Sequence, residues 1–246
     1  AVRHHCLQEQ PAMFALPTTL TVAFIALALE RFLGFPSPLR KLTGHPINWL
    51  YRFTGIFAVL VPGAEGSQAR KLVMGGAFTV LAVMATLALT LALTSWLRPL
   101  GYAWCWEALL AVPFIQQYAT RVRARAVAAA LVRNDIKAAT EAVHMLAPDA
   151  VPPGTEAQAV RRTVEAMAKR LVSDIVTPVF WLALFGLPGI VTVAALEAVV
   201  RRTADDRSTS ALARALMRAA RFLPGKLSGI LVAGAALIGL TLIGWI

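Results

Sequence analysis

Long uncharged apolar runs are the feature that most limits how this chain can fold. Leu72–Leu97 and Leu227–Ile246 contain no charged residue, and Pro11–Leu29 is a third uncharged run. Leu100–Thr120 is a fourth run, interrupted only by Glu107. A helix needs about 20 apolar residues to cross the hydrocarbon core of a bilayer. Because a segment inside lipid must satisfy its own backbone polar groups, these runs predict an all-α integral membrane protein.

The overall composition agrees with this class and excludes others. Hydrophobic residues make up 58% of the chain and charged residues 15%, below the roughly 25% charged residues of soluble domains. The net charge of +11 suits a membrane protein with a basic cytoplasmic side. Basic residues are not interleaved with aromatic ones as in single-strand binders, so no nucleic-acid partner is expected. Cys6 and Cys105 have no ligand spacing, so neither a disulfide framework nor a metal site is predicted.

The charge distribution predicts how the chain crosses the membrane. We expect crossings near residues 13–30, 72–97, 100–120 and 227–246. Lys and Arg are frequent on both flanks of the central pair of crossings, whereas the predicted outer side holds only Arg3 and Arg98. Because basic residues collect on the cytoplasmic side, residues 121–177 and 201–226 are predicted to be cytoplasmic and both termini extracytoplasmic. The expected location is the inner membrane of a bacterium.

Pro178–Val200 is long enough to cross, but a crossing there would place the basic segment 201–226 outside the cytoplasm. Gly186-Leu187-Pro188-Gly189 interrupts the middle of this run. Proline removes a backbone donor and glycine loosens the helix, so a break is expected there. We therefore predict a re-entrant broken helix over 178–200 that returns to the cytoplasm. Five crossings are the alternative.

The chain is divided into a tail, residues 1–12, and a single helical membrane domain, residues 13–246, with Met13 as a candidate start. Asn48–Val61 is too short to cross and predicts an interfacial helix. Apolar residues at helical spacing predict cytoplasmic amphipathic helices in the remaining segments. These helices are expected at Arg121–Leu146, Glu156–Val176 and Ala211–Phe222.

General catalytic motifs give little support for chemistry. Pro224-Gly225-Lys226 lacks both the upstream glycine and the following Ser or Thr of a Walker A loop. An acid inside an apolar run is a functional candidate by default, which singles out Glu107, with a helix contact near the interface as the alternative. Glu197 is predicted to be such a contact, because Arg201 and Arg202 follow it within five residues.

The chain resembles the CobD/CbiB family of membrane proteins over roughly Ala26–Val232, most specifically over Asn134–Gly229. His45-Pro46 matches a His-Pro near the family's opening, and Pro178-Val179-Phe180-Trp181 matches its Pro-Leu-Phe-Trp. The polar positions that match the family are His45, Asn134, Asp135, Asp149, Glu165 and Asp174. The resemblance implies the synthesis of adenosylcobinamide phosphate, in which ATP drives amide formation between a corrinoid carboxylate and an aminopropanol phosphate.

The family's acidic positions are largely replaced. Lys169-Arg170 stands where the family has Glu-Asn, Ser173-Asp174 where it has Asp-Gly, and Phe35 where it has an Asp. Asp149 follows Ala147-Pro148 in place of the family's Gly-Arg. Because Mg²⁺ and nucleotide phosphates need carboxylates and phosphate cradles, the charge inversion at Lys169-Arg170 predicts loss of a metal site.

These losses predict a non-catalytic CobD/CbiB-like scaffold without a cofactor. It would be an accessory subunit of a larger membrane complex or a regulator, with lipids and other membrane subunits as partners. Glu30-Arg31 and Arg133-Asn134-Asp135 also resemble the AmpE-type branch of the superfamily, which lacks the acidic signature. The alternative is a divergent adenosylcobinamide-phosphate synthase that uses ATP and Mg²⁺. A transporter is disfavoured, because the sequence has one broken helix and no inverted repeat.

Overall fold

A computed structural model describes residues 16–33, 46–61, 67–99, 102–147 and 152–243. Every regular element in these ranges is helical, which confirms the predicted all-α class. The helices are α1 Leu16–Leu33, α2 Pro46–Ile56, α3 Gln68–Leu97, α4 Ala103–Ala111, α5 Gln117–Val132, α6 Ile136–Leu146, α7 Glu156–Arg170, α8 Thr177–Arg202 and α9 Ala211–Ile243. Short 3₁₀ turns at Phe57–Leu60 and Val112–Phe114 follow α2 and α4, and a π-helical segment, Leu171–Val176, joins α7 to α8.

By length and composition, two helical stretches of the described chain could cross a membrane, α3 and the run Glu156–Arg202, although the second is broken at Gly186. The 30 residues of α3 extend about 45 Å, which exceeds the roughly 30 Å thickness of a hydrocarbon core. The crossing predicted at 72–97 lies inside α3.

The interval 100–120 is not the single crossing helix that its composition predicts. The nine-residue α4 ends at Ala111, a 3₁₀ turn follows, and Ile115 is extended with φ −100°. Pro113 in that turn has no backbone N–H to donate, so the α-helical ladder cannot continue through it. At about 14 Å, α4 is too short to cross a hydrocarbon core.

The predicted cytoplasmic helix Arg121–Leu146 is two helices, α5 and α6. Between them Asn134 has a left-handed backbone with φ 54°, a conformation that Asn adopts more readily than most residues. The Asp135 carboxylate accepts a hydrogen bond from the Ala138 N–H and caps α6. Two residues of the family-matched set therefore shape a helix–helix turn.

The predicted helix at Ala211–Phe222 and the predicted crossing at 227–246 are parts of one helix, α9. Pro224 lies inside it, and the helix continues through this residue. The Ser228 hydroxyl donates to the Gly225 carbonyl in the following turn, so side-chain bonding supports the backbone next to the proline. Beyond this point Gly229 and Gly234 have no atoms near their Cβ positions within 4 Å.

The break predicted in the middle of 178–200 is present in α8. Gly186 has φ 66° and ψ −154°, which is not helical. A Cβ atom on Gly189 would lie 2.4 Å from the Trp181 carbonyl oxygen and 2.8 Å from the Phe185 Cβ. Residues eight positions apart in a straight helix are separated by about 12 Å along its axis. The arms 177–185 and 187–202 therefore fold back on each other as a helical hairpin.

Both ends of this hairpin lie at the same end of α1. Its apex is beside the first turns of α1, where the Thr19 hydroxyl donates to the Ala183 carbonyl at 2.6 Å. That bond satisfies a carbonyl near the break. At the other end of α1, the Glu30 carboxylate accepts from the Tyr118 N–H, while nearby Gln116 donates its N–H to the Asp174 carbonyl. The chain thus goes out along α1 and returns, while the return of this element to the cytoplasmic side of a membrane stays a prediction.

Buried side chains form two main clusters around the hairpin. One joins α1 and α4 to α8, and the other joins α3 and α9 to α8. On the buried face of α3, the Thr79, Thr86 and Thr90 hydroxyls donate to carbonyls of their own helix, so they are satisfied without a partner helix. A smaller cluster, Val127, Val143 and Ala159, holds α5, α6 and α7 together.

The loop after α8 is docked against the start of α3. Lys71 Nζ lies 3.1 Å from Asp206 Oδ2, and the Ser208 hydroxyl and Lys71 lower the pKa of the Asp206 carboxyl. A Cβ atom on Gly75 would lie 2.2 Å from the Thr209 carbonyl oxygen, so backbone meets backbone here. Position 75 therefore has room for glycine but not for any residue that carries a Cβ atom.

Gly75→Ala is therefore expected to lower the melting temperature in detergent, because overpacking against rigid backbone costs about 1–3 kcal/mol. Gly76→Ala on the same helix is the matched control. Its Cβ would lie 3.7 Å from Leu212 Cδ2, which is an ordinary van der Waals contact. Thermal unfolding followed by circular dichroism compares the two variants, and equal melting temperatures would refute the backbone contact.

Candidate functional site

Several family-matched segments meet at the base of the α8 hairpin. They enclose a small pocket, here called the base pocket, between the α4–α5 turn, the π-helical segment, both arms of α8 and α9. Its polar residues are Gln116, Ser173, Asp174, Thr177, Glu197 and Arg221. The remaining wall is apolar and is formed by Phe114, Pro178, Ile190, Val193 and Ala194.

Local backbone geometry brings these elements together. The π-helical turns of Leu171–Val176 widen the helix just before the first arm, a distortion that is frequent at functional sites. The 3₁₀ turn at Val112–Phe114 and the extended Ile115 turn the chain so that the Gln116 N–H donates to the Asp174 carbonyl at 3.1 Å. Fold-back at Gly186 then brings Glu197 to the same pocket as Asp174.

Both carboxylates that face the base pocket are held by an arginine one helical turn away. Asp174 Oδ2 lies 3.0 Å from Arg170 Nη1, and the Ser173 hydroxyl donates to Asp174 Oδ1 at 2.6 Å. Glu197 Oε1 lies 2.7 Å from Arg201 Nη2, the helix contact expected from the sequence. The Arg170 Nε also donates to the Leu146 carbonyl, which fixes its position. The two acids are therefore neutralised within their own helices.

Arg221 is different from these paired arginines. Within the described part of the chain it forms no ion pair, and its buried Nε has no hydrogen-bond partner. The buried Thr177 hydroxyl, which lines the same pocket, also has none. Unpaired buried polar groups are costly, so these two donors call for an oxygen acceptor. The free volume is about 20 Å³, enough for about one water molecule, so a larger ligand requires the pocket to open.

The family-matched residues are spread over the molecule. Glu165 is exposed on α7 and pairs with Arg161 at 3.0 Å. Asn134 and Asp135 lie on the exposed turn between α5 and α6. His45 and Asp149 lie outside the described residues. Of the four matched residues that are described, Asp174 alone lines the base pocket.

Glu107 lies at the hairpin apex, far from the base. It is half-buried on α4, and its Oε2 lies 3.8 Å from the Cβ position of Gly186. The acid singled out by its apolar surroundings thus contacts the broken backbone of α8. The structure does not bring it together with any of the family-matched acids.

Sequence reasoning missed Arg221, Thr177 and Gln116. In the sequence Arg221 is one of many basic residues in a segment predicted to be cytoplasmic, and Thr177 immediately precedes the matched Pro178. The available signal was the position of both residues inside the family-matched stretch. Their meeting depends on fold-back at Gly186 and on the path of α9, which no local pattern shows.

The base pocket does not fit the Mg²⁺ ion that the family resemblance implies. Mg²⁺ requires free oxygen ligands at short distances, whereas Asp174 and Glu197 are occupied by Arg170 and Arg201. The described residues contain no group of three or more His, Cys, Asp or Glu side chains that could hold a metal ion. Arg221 and Thr177 do fit an anionic oxygen, such as that of a phosphate group.

These observations define a protein that is all-helical over the described residues, with a membrane-length helix α3 and a folded-back helix that forms one wall of a small polar pocket. The family model described as CobD/Cbib protein matches residues 23–244. The chain therefore belongs to the CobD/CbiB family, which is a family of membrane proteins.

Curated relatives agree with this assignment. A cobalamin biosynthesis protein CobD of Rhodobacter capsulatus is 29% identical over 167 residues, which are 68% of this chain and 52% of that protein. The protein of the same name from Sinorhizobium fredii is 29% identical over 172 residues, covering 69% and 52%. The Brucella suis protein is 27% identical over 228 residues, covering 89% and 69%. The chain spans about half the length of the first two relatives. No solved structure matches it.

Proposed function

We propose that this chain acts in cobalamin biosynthesis as a divergent CobD-type protein that takes part in ATP-dependent amide formation. The observation that carries this proposal is the family match over residues 23–244, which includes every element of the base pocket. The matched relatives bear the name cobalamin biosynthesis protein CobD. The non-catalytic scaffold that the lost acidic residues predict has less support than this enzymatic alternative.

Under this proposal the base pocket binds the anionic end of a substrate. The family resemblance implies an aminopropanol phosphate, whose phosphate oxygens suit the two unpartnered donors of Arg221 and Thr177. The pairs Arg170–Asp174 and Arg201–Glu197 keep the two carboxylates from repelling that phosphate. Because the free volume is about 20 Å³, binding requires displacement of the Arg221 side chain or of α9.

A non-catalytic role remains the second candidate and rests on Arg170. The resemblance places Arg170 where the family has the Asn of its Ala-Glu-Asn motif, and here it forms an ion pair with Asp174. A pocket whose acids are both neutralised suits an anion-binding or structural site better than a metal centre. In that role the protein would be an accessory subunit or regulator, with other membrane proteins as partners.

We place the protein in a bacterial inner membrane with the base of the hairpin in the cytoplasm and both termini on the other side. Exposed aromatic residues support this placement, because Trp and Tyr favour the two membrane interfaces. The aromatic residues at the far end of α3 and at or just before α4 are Trp96, Tyr102, Trp104 and Trp106, and those at the base end are Trp49, Tyr51 and Tyr118. From Lys71 to Trp96, α3 covers about 38 Å, which suits this separation.

Complementation tests the proposed function. The chain is expressed in a bacterium that lacks its own CobD protein and is grown where growth requires cobalamin made from a late corrinoid precursor. We expect rescue by the full chain. The scaffold role predicts no rescue, together with co-purification of a stoichiometric membrane partner, and that combination would contradict the proposal.

A further inference from the structure

An apolar groove lies on the side of the hairpin formed by α3 and α9. Its volume is about 590 Å³, which is within the range of roughly 300–1,000 Å³ for small-molecule clefts. Leu87 and Leu91 of α3 form one wall, Phe185 of α8 the floor, and Ala219 and Leu223 of α9 the other wall. The groove extends from the hairpin apex toward its base and is distinct from the base pocket, although Val193 lines both.

The groove opens on an apolar surface. Leu91, Phe185, Leu216 and Leu223, all of which line it, are also exposed. In a protein that lies in a bilayer, such a surface faces the acyl chains of lipids. A groove that follows the membrane-length helix α3 runs in the direction of those chains, so one of them can lie along it.

Polar groups beside this apolar surface indicate an amphiphile with an acidic head. The Thr192 hydroxyl lines the groove, is buried, and has no hydrogen-bond partner among the described residues. Helix α9 contains four basic residues and no acidic residue. Of these, Lys226 lies three positions after Leu223, next to the groove wall, and its ammonium group is 5.8 Å from the Phe222 ring centre. An ester carbonyl would accept from Thr192, and a phosphate would pair with Lys226.

We propose that this groove is a binding site for one anionic phospholipid. One acyl chain lies between α3 and α9, and the headgroup phosphate lies at Lys226. The site does not depend on the proposed enzymatic role, because none of its anchoring groups belongs to the base pocket. The bound lipid would lie beside the turn of α9 that contains Arg221.

Native mass spectrometry tests the site with the full chain taken from nanodiscs of phosphatidylglycerol mixed with phosphatidylcholine. We expect one retained phosphatidylglycerol per chain in the wild type. Ala219→Trp fills the groove with an indole ring. Because the acyl chain can then no longer lie there, the amount of retained lipid should fall about tenfold. Ala215→Trp is the matched control, since Ala215 is exposed on the same helix outside the groove. Equal retention in both variants would overturn the proposal.

A charge variant tests the headgroup contact without steric change. Lys226→Gln should lower the preference for phosphatidylglycerol over phosphatidylcholine about fivefold, as expected for one basic residue near an anionic lipid. Arg207→Gln, in the exposed loop before α9, should leave the preference unchanged. An unchanged preference in Lys226→Gln, or equal retention of the two lipids by the wild type, would show binding of lipid in general and refute an anionic site.

Discussion

Gly189→Ala is expected to open the α8 hairpin and to cause the largest loss of stability of any single alanine substitution discussed. The added Cβ would lie 2.4 Å from the Trp181 carbonyl oxygen and 2.8 Å from the Phe185 Cβ. Both atoms belong to the other arm, and neither can move without moving backbone. Overpacking of this kind costs about 1–3 kcal/mol, and separation of the arms would also expose the apolar cluster around Leu182 and Ile190.

The measurement is thermal unfolding in detergent, followed by circular dichroism and by the fluorescence of the tryptophans. Gly229→Ala is the matched control, because nothing lies within 4 Å of its Cβ position. Alanine there should leave stability unchanged or raise it by up to about 1 kcal/mol through helix propensity. If Gly189→Ala and Gly229→Ala melt together, the two arms of α8 are not in contact.

Arg221→Gln is expected to impair function strongly while leaving the protein folded. Hydrogen bonds to charged groups contribute about 1.5–3 kcal/mol, so loss of this cation should weaken binding of an anionic substrate about tenfold to a hundredfold. Arg221 forms no ion pair within the described ranges, and its Nε is buried without a partner. Removing an uncompensated charge should therefore leave thermal stability equal or higher.

Growth in the complementation assay and melting temperature are measured for the same variants. Arg207→Gln removes an exposed arginine from the neighbouring loop and should preserve both growth and melting temperature. A structural role for Arg221 predicts the opposite pattern, in which the melting temperature falls and growth follows it. Full growth with Gln at position 221 would exclude this arginine from the site.

The sequence predicted those features that local backbone chemistry decides. Gly186 and Pro188 interrupt an apolar run, and the helix breaks at Gly186 because the conformation there is open essentially only to glycine. The short helix predicted over 48–61 is present as α2 and its 3₁₀ turn. The length of this segment was enough to predict a helix that does not cross a membrane. The all-helical class follows from the same apolar runs.

Features that depend on tertiary contacts were predicted less well. Composition cannot distinguish one crossing helix from a short helix followed by a turn. In the interval 100–120 the helix is short, because Pro113 lies in a turn that ends it. Pro224 had the opposite effect, because α9 continues through it as one helix. The base pocket was missed for a similar reason. Asp174 and Arg221 are 47 positions apart, and they meet only because α8 folds back and α9 runs beside its base.

The fold-back of α8 is the central claim, because the proposed topology needs it to keep the base pocket, the basic loop after α8 and the helices α5–α7 on one side of the membrane. Single cysteines can report this sidedness in a chain whose Cys6 and Cys105 are replaced by serine. Suitable exposed positions are Ala168 on α7, Ala204 after α8 and Tyr102 before α4.

The most direct measurement is labelling of these three cysteine variants with a membrane-impermeant maleimide, applied to intact spheroplasts and to inverted vesicles. The fold-back predicts that Ala168→Cys and Ala204→Cys react only in inverted vesicles, whereas Tyr102→Cys reacts in spheroplasts. Reaction of Ala204→Cys in spheroplasts, from the same side as Tyr102→Cys, would mean that α8 crosses the membrane and would contradict the account.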